Sequence, residues 1–75
     1  MSDFISKSPD WYLAIRPMPD PASLNSEDLI EDYTNAVVDY LRYGHPNEFD
    51  RDVMLVAGDR SLLIKKEILR RIKSH

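Results

Sequence analysis

Seventy-five residues, 43% hydrophobic and 31% charged, suffice for one domain with a small core and are too few for two. The hydrophobic share argues against wholesale disorder, and the lack of cysteine excludes both a disulfide framework and thiolate zinc ligation. The net charge of -3 conceals an asymmetry: residues 1–59 carry four basic and twelve acidic side chains, a balance of -8, while residues 60–75 carry six basic and one acidic, a balance of +5.

The first ten residues are polar apart from Phe4 and Ile5, with a turn signal at Pro9 and Asp10 and only partial order expected. They lack a basic stretch followed by an apolar run. Nowhere does the chain hold the roughly 18 apolar residues of a membrane span, so an intracellular, cytoplasmic protein is expected. "WYLAI" (11–15) is too short for its type to be read from periodicity: an isolated strand, an extended arm and one turn of helix all fit. Pro17, Pro19 and Pro21 then alternate, which fixes φ and removes N–H donors, so residues 16–21 are expected to be an extended spacer. That spacer would carry the Trp11 cluster back over the rest of the chain, because large apolar side chains left in water forfeit about 1.5–3 kcal/mol each.

Residues 25–44, "NSEDLIEDYTNAVVDYLRYG", predict a helix. Asn25 or Ser26 can cap it, Glu27 and Asp28 suit its positive end, and Gly44 is placed to end it in the left-handed conformation. Leu29, Ile30, Tyr33, Ala36, Val37, Tyr40 and Leu41 fall on one side and the carboxylates gather on the other. Pro46 breaks this helix, with His45 as a helix-end or turn residue. A short second helix is expected from Glu48 to Gly58, and a third from Asp59 to Lys73 with Asp59 or Ser61 as its cap. The competing reading pairs "DVMLVAG" with "RSLLIKK" as a β-hairpin around Gly58, within residues 52–65. The expected fold is therefore all-α: a small three-helix domain with residues 1–24 as a proline-spaced arm and residues 25–75 as the helical core. An α+β fold with strand pairing at either end is the alternative. Tyr33, Val37, Tyr40, Leu41, Ile64 and Ile68 are the expected core.

Little in this composition supports catalysis. There is no cysteine, the only imidazoles are His45 and the terminal His75, and two glycines cannot build a phosphate-cradling loop. The carboxylates of residues 27–32 lack the Asp, Asn and Gly spacing of a calcium loop. No catalytic residue, metal or cofactor is expected.

Binding signals remain. The acidic side of the first helix, with Glu27, Glu31, Asp32 and Asp39, suits docking onto a basic patch of a larger protein, and Trp11 and Tyr12 are residues that anchor interfaces. Residues 48–73 also have the outline of a helix-turn-helix, which would aim Arg60, Lys65, Lys66, Arg70 and Arg71 at a nucleic acid. Against that outline, Met54 is bulky where two helices must approach, Asp59 stands where an apolar residue is usual, and the -8 segment would repel phosphates. A non-catalytic protein-binding module, such as a regulator, inhibitor or adaptor, is the expectation, with a nucleic-acid-binding regulator as the alternative. The partner expected is a larger protein, or a second copy of this chain, and neither nucleic acid nor membrane.

Overall fold

The computed structural model of the chain describes residues 10–74. Phe4, Ile5, Pro9 and His75, on which the sequence placed a partly ordered start and a terminal imidazole, lie outside the described residues. Three α-helices account for the regular structure together with two single-turn 3₁₀ segments: α1 (Asp10–Ile15), α2 (Ser26–Gly44) and α3 (Arg51–Lys73). The all-α class is as expected, and none of the described residues forms a strand. No described helix is long and apolar enough to cross a membrane.

The helices differ from the three anticipated ones. Six residues cannot sustain an isolated helix, so α1 exists because packing holds it. Tyr12 is buried against Val53 and Ala57, with Met18, Tyr43 and Val56 around them. The proline spacer is irregular through Asp20, where the carboxylate accepts from the Ala22 N–H and starts a 3₁₀ turn over Pro21–Ser23. Asn25 caps α2, its Oδ1 accepting from the Asp28 N–H at 2.8 Å.

Gly44 ends α2 without the left-handed conformation expected of it, and the reversal is made by His45 in extended geometry. The His45 Nδ1 accepts from the Asn47 N–H and opens the second 3₁₀ turn, Pro46–Glu48. Asp50 then caps α3. From there the helix runs unbroken through Gly58. The two helices read on either side of that glycine are one, and no β-hairpin forms over residues 52–65. Glycine inside a helix costs roughly 1 kcal/mol relative to alanine, but Gly58 lies under the Tyr40 ring, where a Cβ would stand 3.0 Å from Cδ1. Close approach, not termination, explains the residue.

α2 and α3 form an antiparallel hairpin that buries two small apolar clusters. One is Tyr12, Val53 and Ala57 near the connection; the other is Leu29, Ala36 and Ile64 towards the open end, with Leu24, Tyr33 and Ile68 packed on it. Ile64 is core as expected, and Tyr33, Val37 and Ile68 are half-buried. Tyr40 and Leu41 are exposed instead. The apolar arc of α2 is wider than a single neighbouring helix can cover.

Candidate functional site

α1 is fastened to the hairpin by a polar latch. The Tyr12 hydroxyl donates to Asp39 Oδ2 at 2.7 Å, and Arg16 Nε donates to the same oxygen at 2.8 Å. Asp39 is buried, yet it receives two donors, one of them cationic, which offsets the cost of placing a carboxylate away from water. Burial, and then the hydrogen bond to Asp39, push the Tyr12 phenol up from its ordinary value, so it stays a donor at any physiological pH.

This latch mounts a neighbouring side chain outward. Tyr12 is 2% exposed, while Trp11 beside it is 48% exposed and Ile15, one turn on, is exposed as well. The Trp11 ring meets Tyr12 and Tyr43 edge-on, with centroids 5.8 and 6.0 Å away. Tyr12 and Tyr43 stand edge-on to one another in turn, and the Arg42 guanidinium lies 5.5 Å from the Tyr43 ring. The arrangement is an indole held in one orientation by aromatic edges, with its outer half free for contact.

The anticipated docking residues therefore separate. Trp11 is half-exposed, and Tyr12 is buried with its ring edge-on to the indole. Glu27 and Glu31 are exposed on the first turns of α2, at the opposite end of that helix from Tyr43. Asp39 belongs to the latch, and Asp32 accepts from Arg60 Nη2 at 2.6 Å, so both are internal ion-pair partners, not parts of a docking face. Helical periodicity could not separate them, because it assigns a side and not a neighbour.

The basic residues separate too. Arg60 is 6% exposed and held by Asp32; its Nε is buried without a hydrogen-bond partner. Arg70 and Arg71 both clasp Glu67, and Arg71 also donates to the Pro21 and Leu24 carbonyls and to Ser26 Oγ. Those bonds hold the Glu67 carboxyl down to about 2, the one from Arg70 weighing most. Lys65 and Lys66 remain exposed. With no turn inside α3 and Arg60 turned inward, the helix-turn-helix outline is not realised. Compared with known proteins, the chain matches no family model, no curated protein and no solved structure.

Proposed function

We propose that this chain is a non-catalytic protein-binding module, a small regulator, inhibitor or adaptor, that seats Trp11 and Ile15 in an apolar pocket of a larger protein. The observation carrying this reading is the half-exposed Trp11 standing on a latch of buried Tyr12 and Asp39 closed by Arg16. Tryptophan is the side chain most enriched among interface residues that dominate affinity. One already fixed by its support loses little further freedom on binding. The acidic excess of residues 1–59 favours a partner with a basic surface and speeds encounter with it. The disposition of residues 60–73 supports this reading over a nucleic-acid grip, since three of the arginines needed for phosphates are committed to Asp32 and Glu67.

The test uses the whole chain as bait in lysate of the native host, followed by identification of the captured protein and titration with it. Trp11→Ala should keep the helical spectrum and weaken binding by at least about 2 kcal/mol, the size of an interface hot spot. Equal affinity of the parent and a Trp11→Ala/Ile15→Ala variant would refute the assignment.

A further inference from the structure

The α2–α3 hairpin has two broad faces. α1 packs on one, over Asp39, Tyr43 and Val53. The two glycines mark the seam of the other: a Cβ on Gly44 would stand 3.1 Å from Met54 Sδ, and one on Gly58 would press on Tyr40. Outward from that seam both helices carry exposed apolar side chains, with Thr34 and Lys65 among them. On α3, Leu55, Leu62 and Leu69 recur every seven residues, the spacing of a coiled-coil stripe, and all three are exposed, Leu62 by 59%. On α2, Ile30 and Leu41 lie three helical turns apart and are exposed, Leu41 by 64%. Among the described residues nothing covers this face, although six hydrophobic residues are buried in the whole fold and twelve large ones are exposed.

The charges along its edges say what would cover it. By helical periodicity the outer edge of α2 carries Glu27 and Glu31, next to Ile30, and the outer edge of α3 carries Lys66 and Lys73, next to Leu62 and Leu69. All four are exposed, and none takes part in an ion pair among the described residues. Because the hairpin is antiparallel, the acidic pair and the basic pair stand at the same end. A two-fold axis parallel to the helices would set α2 of one copy against α3 of the other. Glu27 and Glu31 would then meet Lys66 and Lys73 on both edges of one four-helix bundle.

The area agrees. α2 has 19 residues, so at about 1.5 Å per residue and about 10 Å per helix the face measures roughly 28 by 20 Å, on the order of 560 Å² in projection. Corrugation raises the accessible surface of such a footprint towards the roughly 800 Å² per partner of a standard interface. We infer that the uncovered α2–α3 face is a self-association surface, and that the chain pairs with a second copy into a two-fold four-helix bundle through Leu62, Leu69, Ile30 and Leu41, with Glu27 and Glu31 facing Lys66 and Lys73 of the other copy.

Sedimentation equilibrium of the full chain, from low micromolar to millimolar, tests this. The parent should be a dimer with a melting temperature that rises with concentration. Leu41→Glu/Leu62→Glu should be a helical monomer. Since that variant can fail by unfolding, a charge exchange supplies the second measurement. Glu27→Lys/Glu31→Lys alone and Lys66→Glu/Lys73→Glu alone should each dimerise at least tenfold more weakly than the parent, while their equimolar mixture recovers the parent affinity as a heterodimer. A parent monomeric throughout the range, whether its face is covered within the chain or awaits a different protein, overturns the inference. A mixture no tighter than its components overturns the arrangement of the two copies. Neither result touches the Trp11 surface, whose own variants decide that reading separately.

Discussion

Replacing Asp39 by alanine strikes the acceptor that Tyr12 and Arg16 share. The change strands the Tyr12 hydroxyl, which is buried and has Asp39 as its hydrogen-bond acceptor. A buried donor left unsatisfied costs about 1–3 kcal/mol. Arg16 contributes less, because its side chain is 37% exposed and water can replace the carboxylate. A total near 2–3 kcal/mol is a large share of the roughly 4–11 kcal/mol that holds a domain of this length together. At about 4–8 °C per kcal/mol for such a size, the melting temperature should fall by roughly 10–20 °C.

The assay is thermal unfolding followed by far-ultraviolet circular dichroism at one fixed protein concentration, with emission of the sole tryptophan, Trp11, as a local reporter of α1. Tyr12→Phe removes the donor and leaves Asp39 with Arg16. The double variant Tyr12→Phe/Asp39→Ala, in which neither side of that bond is left without its partner, should cost less than the two single changes added, with a coupling of about 1–2 kcal/mol. Asp39→Asn retains an acceptor for Tyr12 and should fall between parent and alanine. A drop below about 3 °C for Asp39→Ala, or strict additivity in the cycle, would refute the latch.

Ile64 is fully buried in the open-end cluster, so Ile64→Ala should destabilise by about 2–5 kcal/mol in urea titration. Gly58→Ala gains up to about 1 kcal/mol of helix propensity but must displace the exposed Tyr40 ring. A small gain is expected in the parent and a larger one in a Tyr40→Ala background, read as melting temperatures. Glu67 titrates at about 2 in the fold against an ordinary 4.5, a depressed carboxyl value. Its contribution should be complete above pH 4.5 and lost as the pH falls towards 2, and Glu67→Gln should flatten the stability profile in that window while leaving its slope near neutrality unchanged.

The amphipathic pattern of residues 25–44 and the cap at Asn25 could be read from local chemistry, because a cap or a helical stripe depends on residues within one turn. What a residue meets across the fold could not. Gly44 and Gly58 were read as terminators because glycine commonly ends helices; Gly44 does end α2, whereas Gly58 lies inside α3 and makes room for Tyr40 of the opposite helix. Asp32 and Asp39 shared a polar side with Glu27 and Glu31, and only the positions of Arg60 and Tyr12 drew them inward. "WYLAI" was ambiguous because its helix is induced by the surface it covers. Tyr40 and Leu41 were assigned to the core on the premise that an apolar arc is always covered within one chain. Their exposure shows that the premise does not hold among the described residues.

The Arg71 guanidinium reaches the carbonyls of Pro21 and Leu24, residues fifty and forty-seven positions earlier. A hairpin alone is made of contacts that zip outward from its connection, each closing only a slightly longer loop than the last. Arg71 adds a closure at the far limit of that series, and Tyr12 to Asp39 adds another across twenty-seven positions. Such separations raise the contact order and slow the search. They also mean that the spacer and α1 are fixed at both ends by residues from distant parts of the chain. Fraying of the last turn of α3 would release the Pro21 and Leu24 carbonyls, so the 3₁₀ turn after the proline spacer is tied to the far end of the described chain.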